Sequence, residues 1–284
     1  TTDTVTWLTA TGSLKVNVAP ALGITFTWNS GTDIAGYYGT TVQIRLRPVD
    51  TDGDMGGWQA TGQFTLDNNV APSISALTTP SGEQSGNVGV TYTLTDPDTA
   101  LLSIQVEYTT DGSTWNTANG TPKANIAPGS GIAFTWNSAT DLAGYYGTTV
   151  QLHLRPVDTD GDMGGWQATG AFMLDNNVAP SISTLTTPSG TQSGDVITSY
   201  TLTDPDTALL SIEAEYTTDS LTWFTATGTP KTNVAPGTGI DFTWNSATDL
   251  LGYNGSGVKL HLRASDTDFD KSSWVETGGF TLNN

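Results

Sequence analysis

The chain has 284 residues, with 28 Asp and Glu against 9 Lys and Arg, for a formal net charge of −19. Such a surface repels nucleic acid and anionic membrane and attracts cations. Cysteine is absent, which excludes a disulfide framework or a thiolate metal site, and no apolar run approaches the roughly 18 residues that a membrane helix needs.

One stretch organises the sequence. VQLHLRPVDTDGDMGGW, from Val150 to Trp166, recurs from Val42 to Trp58 and, as VKLHLRASDTDFDKSSW, from Val258 to Trp274, so the copies stand 108 residues apart. A repeat of that length is a tandem array of domains. All nine tryptophans fall into three aligned sets: Trp7, Trp115 and Trp223; Trp28, Trp136 and Trp244; Trp58, Trp166 and Trp274. The predicted units are 1–69, 70–177 and 178–284. Residues 1–69 match 109–177, so the first unit lacks counterparts of 70–108, and the face of Phe26, Trp28, Val42, Ile44 and Leu46 is expected to be half uncovered. Either the sequence is a window from a longer array or strands of a neighbouring molecule complete that sandwich. No basic-then-apolar leader opens it, so a secreted protein would stand here in mature or fragment form.

The second unit shows the predicted elements in order. A short strand around Ile74 to Leu77 precedes one in which Val88, Val90, Tyr92 and Leu94 alternate with polar residues. The next alternates Leu102, Ile104, Val106 and Tyr108, and an Asp-Gly turn leads to a short strand carrying Trp115. Ile132, Phe134 and Trp136 alternate in the following strand. Tyr145 and Tyr146 precede the strand of Val150, Leu152 and Leu154, and Phe172 and Leu174 mark the last. Seven short strands, with no apolar period of 3.6, predict an all-β chain of seven-stranded sandwiches in single file.

The succession of VEYTTDGSTW, AFTWNS and DLAGYYGTTVQLHLRPVDTDGDMGGW resembles a fibronectin type III-like module of the immunoglobulin-like kind, as strung together in prokaryotic cell-surface proteins. In that family a tyrosine turn precedes the penultimate strand, as Tyr145 or Tyr146 does here, and a tryptophan follows the next loop, as Trp166 does. The resemblance implies a scaffold and leaves its ligand open. LDNNVAP and TDPDT are similar, more distantly, to the linkers and acidic loops of cadherin repeats.

Catalytic chemistry finds no footing. His153 and His261 alternate with inward leucines and are expected on the solvent face of their strand, where no triad is in reach. Glu107 and Arg155, like Glu215 and Arg263, are expected on adjacent strands as exposed pairs. The aspartates carry more. Asp158, Asp160 and Asp162 stand at alternate positions of a loop, as do Asp50, Asp52 and Asp54 in the first copy and Asp266, Asp268 and Asp270 in the third. If strands alternate up and down, Asp96 and Asp98, or Asp204 and Asp206, lie at the same end, beside the linker of Asp67 or Asp175. Three acidic segments would then meet at each junction, in a hard oxygen environment suited to Ca²⁺. The loop departs from the EF-hand pattern, having Met163 at its sixth position and Thr169 at its twelfth.

The expected function is structural: an extracellular or cell-surface filament, surface layer or stalk, partnered by copies of itself, stiffened by calcium and not an enzyme. The alternative is an adhesin or the carbohydrate-binding spacer of a secreted protein. Sequons at Asn119 (NGT) and Asn254 (NGS) permit glycosylation, and glycans are the further partner class considered. Nucleic acid and membrane insertion are not expected.

Overall fold

The computed structural model describes residues 1–13 and 15–284. Its strand-rich chain gathers into two compact units, one of Thr1–Gly82, Asn87–Asn137 and Thr149–Phe172, the other of Glu83–Gly86, Ser138–Thr148 and Met173–Asn284.

The second unit contains all of residues 178–284. One sheet runs, in hydrogen-bonded order, Ser181–Ser183, Asp195–Thr203, Gly237–Asn245, Gly228–Thr229. The other runs Thr191–Gln192, Phe280–Asn283, Asn254–Ser265, Ser211–Thr217, Phe224–Thr225, with Val275–Glu276 paired beside the long strand Asn254–Ser265. Thr191–Gln192 joins Phe280–Asn283 in parallel, and the other pairings are antiparallel. This is the division of an immunoglobulin-like sandwich, ABED facing CFG.

Period-two alternation builds its core. Val196, Tyr200 and Leu202 on one sheet face Ile212, Ala214, Leu260 and Leu262 on the other, with Phe242 and Trp244 completely buried between them. Each such large apolar side chain contributes about 1.5–3 kcal/mol when fully buried. The Trp244 ring stacks on Tyr216 at 5.1 Å, and its indole N–H donates to Asp249 Oδ2 at 2.7 Å.

Asp249 ends a one-turn helix, Ser246–Asp249, that the apolar pattern does not foreshadow; Ser30–Asp33 and Ser138–Asp141 are its counterparts. In Ser246–Asp249 local hydrogen bonds, rather than amphipathic periodicity, hold the turn. The Asn245 side chain accepts from Thr248 N, and Ser246 Oγ donates to Gly194 O at 2.7 Å.

The first unit carries the same arrangement 108 residues earlier. Its four-stranded sheet is Gly120–Thr121, Gly129–Asn137, Asn87–Thr95 and Ser73–Ser75. Ser103–Thr109 pairs with Asn116–Thr117 and with residues 151–157 of the long strand. Residues 1–69 form only two-stranded pairings among the described residues: Gly12–Ser13 with Thr27–Trp28, Tyr38–Val42 with Phe64–Asp67, and Arg45–Leu46 with Gln59–Ala60. Val42 is buried, yet Leu46 is 50% exposed where its counterpart Leu154 is fully buried. This face of the first copy is therefore more open than the matching face of the second.

The outer face of the long strand departs from expectation. His153 and His261 do not face solvent: each is only 8% exposed. Trp223 and Trp274 stack on His261 at 3.7 and 3.8 Å, and Trp115 and Trp166 stack on His153 at 3.6 and 3.8 Å. The guanidinium of Arg263 continues the column over Trp274 at 4.4 Å, and that of Arg155 over Trp166 at 4.6 Å. In the first copy Arg45 takes the histidine's place, 4.2 Å from Trp7 and 4.4 Å from Trp58. Strand register also redistributes the charge pairs. Glu107 stands opposite His153, whose Nε2 lies 2.7 Å from its Oε2, while Arg155 stands opposite Gln105. Glu215 likewise meets His261, and Arg263 meets Glu213. An even-numbered register offset keeps every side chain on its expected face but changes its partner.

Candidate metal centre

The acidic loops are tied to the linkers by side-chain hydrogen bonds. In the first unit the side-chain amide of Asn69 donates to Asp158 Oδ2 at 2.7 Å, Asp160 Oδ1 at 3.1 Å and Asp162 Oδ2 at 3.4 Å. Val70 N donates to Asp98 Oδ2 at 3.1 Å, and Asp67 Oδ1 accepts from Asn69 N. The loop closes on itself, Gly161 N and Asp162 N both donating to Asp158 Oδ1. Gly161 has φ +101°, a conformation natural to glycine.

The second unit repeats the scheme. Asn177 Nδ2 donates to Asp266 Oδ2 and Asp268 Oδ1, both at 2.9 Å. Val178 N donates to Asp206 Oδ2, and Asp175 Oδ1 accepts from Asn177 N. Carboxylate oxygens of Asp158, Asp160 and Asp162 lie within 4.8 Å of one another, as do those of Asp175, Asp268 and Asp270, and those of Asp50, Asp52 and Asp54. The last trio is exposed throughout, whereas Asp158 and Asp266 are buried.

Asp96 and Asp204 stand behind these clusters and shape the neighbouring loop. Oδ1 of Asp96 accepts from Asp98 N and Thr99 N, and Oδ1 of Asp204 accepts from Asp206 N and Thr207 N. Their Oδ2 atoms are buried without a hydrogen-bond partner.

Crowded carboxylates resist ionisation. Asp160 is raised to about 6 by its hydrogen bond with Asp158 and by burial. Burial and the hydrogen bond with Asp268 raise Asp266 to about 7. Burial also raises Asp98 and Asp206, each reinforced by its neighbour Asp96 or Asp204, and raises Asp270 with help from the Asp175 charge. Asp158 is the exception: burial opposes its ionisation, yet hydrogen bonds with Asp160 and Asn69 hold it low.

These donors fit a hard cation. All are oxygens, and the Asn69 and Asn177 amide NH₂ groups point at carboxylates that a positive ion would neutralise. Asp158, Asp160 and Asp162 in the first unit, and Asp175, Asp268 and Asp270 in the second, are the residues that would hold it. The asparagines Asn69 and Asn177 join the clusters without having been singled out as site residues. The signal was present in the sequence as an asparagine 89 residues before the first loop aspartate in both copies.

An open groove of about 730 Å³ lies beside the second-unit cluster, lined by Tyr145, Tyr146, Asn177, Asp206, Asp268 and Phe269 among others. No helix among the described residues is long and apolar enough to cross a membrane.

No family model matches the sequence, and no curated protein matches it. Among solved structures, the chain is similar to fibronectin(III)-like modules of Clostridium thermocellum CbhA, at 16% identity and a TM-score of 0.27, over 75% of this chain and 93% of that one. It is similar also to a chimeric titin tandem carrying an exogenous fibronectin peptide, at 10% identity and a TM-score of 0.20, over 75% of this chain and 98% of that one. The immunoglobulin-like assignment rests on the sheet order.

Proposed function

We propose that the chain is a structural repeat protein of the cell exterior, its sandwich modules building a filament, surface layer or stalk with copies of itself, and calcium stiffening the junctions. One observation carries this reading: Asn69 and Asn177, the last residues of successive copies, are bound by the acidic loops of the next copies through matching hydrogen bonds. A junction written twice in the same geometry suits a protein whose task is regular spacing. The histidines support a non-catalytic role, being engaged between indoles. The testing experiment is electron microscopy and small-angle scattering of the native material, with calcium and after chelation. Ordered polymers that loosen on chelation are expected; dispersed particles under both conditions overturn the polymer.

The groove beside Tyr146 favours a second reading, an adhesin or carbohydrate-binding spacer. An exposed aromatic next to amide and carboxylate groups is the chemistry that holds sugar rings. Saturable glycan binding, lost in Tyr146→Ala, would establish it.

A further inference from the structure

We propose that His153 and His261 are proton-operated rungs of the aromatic columns, carrying a positive charge in mild acid and losing it as pH rises, so that acid strengthens the second and third copies. The first copy supplies the reasoning. Its rung is Arg45, a permanent cation between Trp7 and Trp58, and in the other copies an imidazole fills the same slot between the corresponding tryptophans. A slot that holds a guanidinium between two indole faces is built for positive charge, because both ring quadrupoles present their negative side to it. Neutral imidazole stacks there without that attraction; imidazolium gains it twice.

The neighbouring carboxylates point the same way. Glu107 Oε2 lies 2.7 Å from His153 Nε2, and Glu215 Oε2 lies 2.7 Å from His261 Nε2. From the strand on the other side His261 faces Glu276, which also pairs with Lys259, whereas His153 faces the uncharged Ala168. The nearby cations are engaged: Arg263 binds Glu213, which also binds Lys271, and Arg155 Nε donates to Gln105. Burial opposes the charge and lowers the His261 pKa, helped by the Arg263 guanidinium, with Glu215 and Glu276 acting against it. On the proposed reading the two indole faces add to the side of Glu215 and reverse that balance. The sign follows from linkage. A histidine whose folded pKa exceeds its unfolded value of about 6.5 contributes stability that is fully present below that value and is lost as pH rises through the folded pKa.

The decisive measurement is an NMR titration of the two imidazole Cε1 protons in the full chain, folded and in urea. We expect each imidazole to keep its proton to a higher pH in the folded chain than in urea. Folded values at or below the unfolded ones overturn the proposal. A companion test compares thermal midpoints at pH 5.5 and pH 8, in chelator, for the wild type and for His153→Arg/His261→Arg. The aspartate loops titrate in both proteins, so the difference isolates the imidazoles. The arginine variant is expected to show the smaller fall on going to pH 8; an equal fall in both proteins counts against the rung.

Discussion

Gly144 lies so close to Asp206 that a Cβ on the glycine would sit 2.6 Å from the Asp206 Cβ, and Gly36 stands to Asp98 in the same way at 2.4 Å. Both glycines also have positive φ, 65° and 67°. The turn before the long strand of one copy therefore backs directly onto an aspartate loop of the next, and glycine is needed for conformation and clearance together.

Gly144→Ala is expected to cost more than Gly161→Ala. The backbone strain is of order 1–3 kcal/mol in each, but only position 144 adds a collision, since nothing lies within 4 Å of Gly161. Urea denaturation and the rate of proteolysis at the linker after Asn177 would measure this, and equal effects would remove the packing argument.

Asp249→Ala tests the one-turn helix as a structural clip. The carboxylate accepts from Trp244 Nε1, Thr227 N and Thr227 Oγ1 at 2.7 Å each. Its loss leaves a buried indole N–H without a partner, for an expected destabilisation of about 1–3 kcal/mol. A change in the denaturation midpoint near zero would show that water replaces the bond.

Calcium should raise the thermal midpoint if the acidic clusters hold it. Saturation at a hundredfold excess over Kd stabilises by about 2.7 kcal/mol. Asp160→Asn combined with Asp268→Asn removes a carboxylate from each buried-side cluster and should abolish most of that gain. Titration calorimetry on both proteins reads the sites directly, and equal heats would place the metal elsewhere.

Without metal the same clusters should respond to pH in the opposite sense from an ordinary ion-paired aspartate. Asp160, raised to about 6, and Asp266, raised to about 7, prefer the proton in the folded state. Their unfavourable charge is present above these values and is relieved as pH falls through them, so chelated protein gains stability between pH 8 and pH 5.5. With calcium bound the dependence should weaken or invert, because protons and metal compete for one set of oxygens. Melting curves at two pH values, with and without metal, test this against Asp160→Asn/Asp266→Asn.

Phe269 occupies the loop position of Gly161 with φ +78° and is 80% exposed. Phe269→Gly should relieve strain of order 1 kcal/mol while losing little packing. A lower thermal midpoint for the variant would show that the ring is held by contacts stronger than the strain.

Much of the fold was legible from particular residues. The alternation of Val88, Val90, Tyr92 and Leu94 identified an inward face because a strand has a period of two, and those four side chains are indeed buried. The helices of Ser138–Asp141 and Ser246–Asp249 were not legible, since a single capped turn has no room for an apolar period. At the acidic loops, the aspartate spacing showed which carboxylates would crowd. It did not single out Asn69 and Asn177, whose role depends on where the linker crosses the loop.

What the sequence by itself determined was the repeat, its length of 108 residues, the β class and the meeting of acidic segments, because these follow from periodicity and from the alternating direction of strands. What only the tertiary structure decided was partnership. Whether His153 faced water or two indoles, and whether Glu107 met Arg155 or His153, depended on register and on the path of the loops that carry Trp115 and Trp166. The physical reason is that alternation assigns a side chain to a face of its sheet, while contacts between residues far apart in sequence choose what covers that face.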